Sequence, residues 1–134
     1  MAEKLFLEVV TPQNAVVSEA IESVVAPGSE GEFGVLKGHT TFLTSLKTGV
    51  LRYKDASSKE RYLFINGGFA EVLPDKVTIL AESAERRKDI DVARAEQAKK
   101  RAEERLARKS ENVDTARAEA ALRRAIFRIS IKGQ

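Results

Sequence analysis

The sequence changes character near residue 85, and this change constrains the fold more than any other feature of the chain. Seven of eight glycines, all three prolines and seven of eight aromatic residues lie in residues 1–84, whereas residues 85–134 contain ten alanines. Short apolar runs with a period of two fill the first segment, and a period near 3.6 governs the second. The pattern predicts an α+β protein with a β domain over residues 1–84 and a helical domain over residues 85–134.

The first segment is predicted to form antiparallel strands. Leu5, Leu7 and Val9 face one side of a strand that ends at Pro12. Further runs occupy residues 20–26, 42–46, 50–53, 62–65, 69–73 and 77–81, and polar or proline-containing turns cover residues 55–59 and 74–76. Many short strands in such a short segment are typical of a β-sandwich or flattened barrel.

The second segment is predicted to form a hairpin of two antiparallel helices. Asp89 is a plausible N-cap for a first helix that ends near Lys109, and residues 110–112 form a polar break. The second helix is predicted from Val113 or Asp114 to Ile129. The apolar stripe of the first helix contains Ala95, Ala98, Ala102 and Leu106, and that of the second contains Val113, Ala116, Ala120 and Phe127. Because alanine side chains bury little apolar area, the hairpin should be weakly docked and detachable.

The charge is divided between the two segments. The net charge of +3 combines 8 basic and 11 acidic residues in 1–84, a balance of −3, with 15 basic and 9 acidic residues in 85–134, a balance of +6. A basic segment indicates an anionic partner. Nucleic acid is one such partner, but acidic residues are interleaved with the basic ones and Phe127 is the only aromatic residue there for base stacking.

The chain contains little material for catalysis or metal binding. It has no cysteine, one histidine and no Gly-x-Ser-x-Gly sequence. The glycine-rich stretch 31–38 lacks the Gly-Lys-Ser/Thr ending of a phosphate-binding loop, so it is interpreted as a turn between strands. His39, which has no companion histidine for a metal, is interpreted from spacing alone as a solvated loop residue.

Four arginines in the helical segment are candidates for binding phosphate. Arg94 and Arg101 are seven residues apart on the first helix, and Arg124 and Arg128 are four apart on the second, so each pair shares a helix face. Arginines from two facing helices can hold phosphate oxygens through forked hydrogen bonds. The alternative is an ordinary solvated surface, with pairs such as Glu96–Lys100.

Several stretches occur in the order found in one protein family. They are Val9-Val10-Thr11-Pro12, the run Gly28-Ser29-Glu30-Gly31-Glu32-Phe33-Gly34 with Gly38-His39, Asn66-Gly67-Gly68-Phe69-Ala70-Glu71-Val72, Val77-Thr78-Ile79-Leu80-Ala81, Ala84-Glu85-Arg86, and Asp89-Ile90-Asp91-Val92-Ala93-Arg94-Ala95. Over its whole length the chain resembles the bacterial ε subunit of the F-type ATP synthase.

The resemblance implies a ten-stranded β-sandwich or flattened barrel followed by a two-helix hairpin. In that family the subunit is not catalytic. Its sandwich joins the γ subunit to the c-subunit ring, and the matching residues Glu32 and His39 would face the ring. The hairpin is regulatory: it permits turnover when folded down and inhibits ATP hydrolysis when extended toward the α and β subunits. The resemblance places the protein at the cytoplasmic face of the bacterial cell membrane, held there through the complex. The first residues, which do not resemble a secretion signal, agree with that compartment.

Some members of the family bind ATP in the folded hairpin through an Ile/Leu-Asp-x-x-Arg-Ala motif, which matches Ile90, Asp91, Arg94 and Ala95. Matching supporting positions are Glu85, Arg101, Arg124 and Arg128. The resemblance therefore implies ATP as a regulatory ligand, with or without Mg²⁺. Two alternatives remain open, namely a purely structural coupling subunit without nucleotide binding and a nucleic-acid-binding protein.

Overall fold

The computed structural model describes residues 5–108 and 114–133, in which seven strands precede two helices. The chain divides into two compact units, Met1–Arg87 and Lys88–Gln134, and the strands belong to the first unit and the helices to the second. The elements are β1 (Leu5–Val10), β2 (Ala15–Gly28), β3 (Gly31–Val35), β4 (Phe42–Leu46), β5 (Gly49–Asp55), β6 (Glu60–Val72), β7 (Lys76–Arg86), α1 (Val92–Ala107) and α2 (Thr115–Lys132).

The strands pair in a sheet that closes on itself. β1 is antiparallel to β2 and parallel to β7, β7 pairs with β6, β6 with β5, and β5 with β2, which completes the ring. β3 adds to the second half of β2, and β4 adds to the second half of β6. Alternate residues such as Leu7, Ile21 and Ile79 are fully buried inside. The predicted β-sandwich or flattened barrel is confirmed.

The described strands number seven rather than the ten implied by the resemblance, because three long strands each serve both halves of the sheet. β6 pairs with β5 through residues 60–65 and with β4 through residues 68–72. Between these halves Gly67 and Gly68 have φ values of 70° and 121°, which non-glycine residues rarely adopt. The two strands predicted at 62–65 and 69–73 are therefore one strand with a glycine bend.

Two ionisable side chains are fixed within the sandwich. Tyr53 is buried and its hydroxyl donates to Glu19 at 2.6 Å; burial, followed by this hydrogen bond, raises the pKa of Tyr53 to about 12. Asp55 accepts hydrogen bonds from the backbone amides of Ser57 and Lys59 in the turn after β5. The bond from Lys59 is the main cause of a lowered Asp55 pKa.

The first unit extends to Arg87. β7 continues through Arg86, whose guanidinium donates to the Val16 carbonyl oxygen from Nε at 3.0 Å and from Nη2 at 2.7 Å. Arg87 lies over the ring of Tyr62, 5.8 Å from its centroid. Side-chain contacts within the first unit therefore continue to Arg87, and Ala84 and Glu85, which flank the predicted boundary, both lie in β7.

Both helices begin at an aspartate N-cap. α1 is capped by Asp91, whose carboxylate accepts from the Arg94 amide; the predicted cap, Asp89, lies in a 3₁₀ turn over Arg87–Asp89 and was wrong. α2 is capped by Asp114 and extends to Lys132, three residues beyond the predicted end. The predicted break at 110–112, and also Lys109 and Val113, lie outside the described residues.

The helices pack through alanines. The predicted stripe of α1 is confirmed, since Ala95 and Ala102 are buried and Ala98 and Leu106 are half-buried. The predicted face of α2 is wrong, because Ala116 is exposed and the buried alanines are Ala118 and Ala125. The alternative alanine faces of α2 differ little in hydrophobicity, so the sequence pattern did not distinguish them.

Candidate functional site

The sandwich presents one predicted contact residue on strand β3. Glu32 is exposed and pairs through its backbone with Pro27 of β2. Its carboxylate accepts from Arg52 Nη1 at 3.1 Å, across β2 from the neighbouring strand β5. An exposed pair of this kind contributes little to stability, since water screens both charges. Glu32 therefore remains accessible to a partner.

His39, the other predicted contact residue, belongs to an aromatic cluster. Its ring lies 5.3 Å from that of Phe42, which makes an edge-to-face contact with Phe33 at 5.2 Å. Its Nδ1 lies 2.9 Å from the Thr40 carbonyl oxygen and must carry the proton, because that oxygen can only accept. His39 is half-buried and lies in the loop between β3 and β4. Because Phe33 follows Glu32 in β3, the cluster connects the two predicted contact residues.

An apolar row crosses the outer face of three strands. Leu80 of β7 lies in register with Val10 of β1 and with Phe69 of β6. Leu80 and Phe69 are each 55% exposed, and Leu43 of the adjacent strand β4 is 71% exposed. A shallow cavity of about 380 Å³, lined by Val10, Pro12, Phe69 and Leu80 among others, lies on this row. A contiguous exposed apolar patch marks an interaction surface.

Sequence reasoning missed this apolar row. Phe69 and Leu80 alternate along their strands with the buried residues Ala70 and Ile79. The alternation predicts strands, and it does not show that the two outward residues form a patch. The sequence did contain a signal. A solvated outer face normally carries polar side chains, whereas Phe69 and Leu80 are apolar residues at outward positions. Their joining into one patch depends on the register between β6 and β7, which is a property of the fold.

The hairpin arginines share one face. Arg94 and Arg101 of α1 directly precede the buried alanines Ala95 and Ala102, and Arg124 of α2 directly precedes Ala125. Each arginine therefore points about 100° away from the alanine seam, in the same rotational sense. In an antiparallel pair this sense leads to the same side of the hairpin. Arg128 follows Arg124 by about one turn, so the structure places the four predicted arginines on a common face.

The remaining motif residues have structural positions. Ile90 is 4% exposed and Asp91 caps α1, with its Oδ1 at 3.1 Å from the Arg94 amide nitrogen. Ala95 lies in the seam. Glu85 is half-buried near the end of β7, in the first unit. Of the motif residues and supporting residues in the hairpin, the arginines are therefore the ones that offer long cationic side chains to a ligand.

Charges on the hairpin are sorted between its two faces. Glu96 and Glu103 of α1 and Glu119 of α2 are exposed and each directly follows or lies one turn from a seam alanine, on the side opposite the arginines. Among the described residues the arginine face carries the capping aspartates Asp91 and Asp114, and Glu104 lies at its edge, three residues after Arg101. In this part of the chain the arginines outnumber the neighbouring carboxylates, which favours phosphate binding.

Two absences concern only the residues that the structure describes. In 5–108 and 114–133 no three histidine, aspartate or glutamate side chains come together in a way that would hold a metal ion. Within the same ranges neither helix combines the length and apolar character that a membrane span requires.

Comparison with known proteins gives one family for the whole chain. The family model described as ATP synthase, Delta/Epsilon chain, beta-sandwich domain matches residues 4–87, and the model of its long alpha-helix domain matches residues 88–133. An ATP synthase epsilon chain of Desulforapulum autotrophicum is 71% identical over 82% of each chain. One of Nitratidesulfovibrio vulgaris is 56% identical over 99% of this chain and 98% of the other.

Solved structures show the same fold. A chain of the Euglena gracilis mitochondrial ATP synthase, in a structure of its OSCP/F1/c-ring, matches with a TM-score of 0.80 and 26% identity over 90% of this chain and 76% of that one. A chain in the Tetrahymena thermophila central stalk and c-ring structure matches with a TM-score of 0.62 over 96% of each chain; at 15% identity it supports the fold alone.

Proposed function

This chain belongs to the ATP synthase delta/epsilon chain family, and on that premise we propose that it is a non-catalytic rotor subunit that joins the γ subunit to the c-subunit ring. The observation that carries the proposal is the combination, on one sandwich, of an apolar row and a polar loop region. The apolar row of Val10, Phe69 and Leu80 suits a permanent contact with γ, because such interfaces are rich in buried apolar area. Glu32 and His39 supply directional polar contacts to the ring.

The hairpin is the regulatory part of the subunit. Its seam is built from alanines, so separating α1 from α2 exposes little apolar area and costs little free energy. End to end, α1 and α2 together span about 50 Å at 1.5 Å per residue, enough to reach into a neighbouring subunit. In its extended state the arginine face meets acidic segments of the α and β subunits and inhibits ATP hydrolysis.

ATP binding favours the folded, non-inhibitory hairpin. Arg94, Arg101, Arg124 and Arg128 hold the phosphates, and Asp91 and Ala95 fix the start of α1 beside Ile90. The arginine face tolerates Mg²⁺ bound to the phosphates, which lowers but does not cancel their charge. ATP at ten times its Kd stabilises the folded hairpin by about 1.4 kcal/mol if the extended form does not bind it.

The subunit is attached peripherally to the membrane-bound complex, on the cytoplasmic side of the cell membrane. The basic face of the hairpin binds nucleotide or the α and β subunits, so it is not available to bind the membrane surface. The subunit therefore contacts the membrane only through the other subunits. This use of the basic face also argues against nucleic acid as a partner.

The coupling proposal is tested by reconstitution. ATP synthase from which the native subunit has been removed is supplied with this chain, and ATP-driven proton pumping is measured. Phe69→Asp should weaken assembly because it places a charge in the apolar row, whereas Ala56→Asp, in an exposed turn away from the row, should not. Equal pumping with both variants would contradict the assignment of the apolar row to γ.

The nucleotide proposal is tested by titration of the isolated chain with ATP. Arg124→Ala should reduce the affinity, and Arg123→Ala, which removes an exposed arginine about 100° around α2 from Arg124, should have a smaller effect. Titrations that stay flat for the unmodified chain would favour the alternative of a purely structural coupling subunit. Binding of RNA or DNA that weakens steeply with salt would favour the nucleic-acid alternative.

A further inference from the structure

The two helices repeat the same sequence with an offset of 23 residues. Residues 91–108, DVARAEQAKKRAEERLAR, align without gaps with residues 114–131, DTARAEAALRRAIFRISI, and nine of the eighteen positions are identical. The identical residues include the capping aspartate, three of the alanines next to an arginine, and three arginines on each helix. The equivalent arginine pairs are Arg94 with Arg117, Arg101 with Arg124, and Arg105 with Arg128.

The repeat is also a structural repeat. Asp91 Oδ1 accepts from the Arg94 amide at 3.1 Å, and Asp114 Oδ1 accepts from the Arg117 amide at 3.0 Å. The alanine that follows each of these arginines is 3% exposed in both helices, and the next seam alanine is 2% exposed in α1 and fully buried in α2. Two equivalent helices packed antiparallel through equivalent residues are related by an approximate twofold axis normal to the hairpin.

The approximate axis generates a second set of four arginines from the first. The set proposed for ATP contains Arg94 and Arg101 from α1 with Arg124 and Arg128 from α2. The axis exchanges these for Arg117 and Arg124 from α2 with Arg101 and Arg105 from α1, on the same face of the hairpin but nearer the connection between the helices. Arg101 and Arg124 belong to both sets.

We propose that Arg101, Arg105, Arg117 and Arg124 form a second binding position for an oligophosphate. This proposal rests on the proposed function, because the first position is the proposed ATP site. Arg105 and Arg117 are exposed and Arg124 is half-buried. Because the two positions share their central arginines, one ligand occupies either position, but not both at once. The second position consists of arginines alone, so it recognises phosphates and not a base or ribose.

The test uses inorganic tripolyphosphate as the probe and the full chain at fixed low ionic strength. The variants are R94Q/R128Q, which removes the outer arginines of the first position, R105Q/R117Q, which removes those of the second, and the quadruple variant. K100Q/R123Q is the control, because it removes two charges at equivalent exposed positions outside the arginine face. Circular dichroism checks that the helices remain intact.

The proposal predicts one tripolyphosphate per chain, about twofold weaker binding for each double variant, and at least tenfold weaker binding for the quadruple variant. In R94Q/R128Q, the amide shifts caused by the probe should centre on Arg105 and Arg117. Binding by R94Q/R128Q as weak as that of the quadruple variant would overturn the proposal. A stoichiometry of two would also overturn it, since it would exclude shared arginines.

The ATP titration separates the proposal from the function on which it rests. If the unmodified chain binds tripolyphosphate at the second position but shows no preference for ATP, the nucleotide function fails and the second position stands. If the chain binds ATP and R94Q/R128Q loses all tripolyphosphate binding, the second position fails and the nucleotide function stands.

Discussion

Asp91 is expected to act on ATP binding through the start of α1. Its carboxylate accepts one hydrogen bond from the Arg94 amide at 3.1 Å, and its backbone has the extended geometry of an N-cap, with φ −88° and ψ 100°. Replacing an aspartate cap by alanine costs about 1 kcal/mol, a factor of about 5 in the equilibrium between a formed and a frayed first turn. Asp91→Ala should therefore lower the ATP affinity by up to about fivefold, because Arg94 loses its fixed position.

The assay compares Asp91→Ala with Asp91→Asn by ATP titration and by hydrogen exchange at the Arg94 and Ala95 amides. Asparagine also caps helices well, so Asp91→Asn should restore most of the affinity and protection. Asp114→Ala removes the equivalent cap from α2 and serves as the control for general loss of helix stability. If Asp91→Asn lowered the affinity as much as Asp91→Ala while the amides stayed protected, the carboxylate would contact the ligand and the capping argument would be refuted.

Three further substitutions test the fold. Gly68→Ala should destabilise the sandwich by more than about 2 kcal/mol in denaturant unfolding, because φ there is 121° and the new Cβ would overlap the β7 backbone, whereas Gly34→Ala, with no atom nearer than 3.8 Å, should cost far less. The pKa of Asp55 is lowered in the folded chain, so its contribution to stability is present above the pKa of the unfolded chain, near 4, and is lost as the pH falls through the folded pKa. Asp55→Ala should flatten this part of the acid unfolding profile. An unchanged profile would contradict the hydrogen-bond assignment. Ala125→Leu overfills the seam and should destabilise the hairpin by about 1–3 kcal/mol, measured by hydrogen exchange in α2; unchanged protection would show that the seam is not closely packed.

The strands and helices were predicted well where the apolar periodicity agrees with the residues that end a strand or helix. The alternation of Leu5, Leu7 and Val9, and the spacing of Ala95 and Ala102, each leave one buried face, so the strand and the helix stripe followed directly. The choice between Asp89 and Asp91 as the cap did not follow, because both precede helix-forming residues. Only the 3₁₀ turn after β7 decides between them.

The candidate sites were predicted unevenly. The arginine face followed from spacing, because residues seven apart on a helix share a face whatever the tertiary structure. The apolar row did not, since Val10, Phe69 and Leu80 are brought together by strand register rather than by chain position. The aromatic contacts of His39 could not be predicted from the sequence either. The ring of His39 contacts Phe42, and Phe42 contacts Phe33, but the loop that contains His39 separates the two phenylalanines in the sequence, so only the fold brings them together.

The most direct test of the regulatory account is ATP hydrolysis by the assembled catalytic head with the full chain and with a chain that ends at Arg87. The truncated chain retains every strand and the side-chain contacts of Arg86 and Arg87, so it should still assemble. The account predicts faster hydrolysis with the truncated chain, and ATP should relieve the inhibition by the full chain. Equal hydrolysis rates with the two chains, at equal assembly, would contradict it.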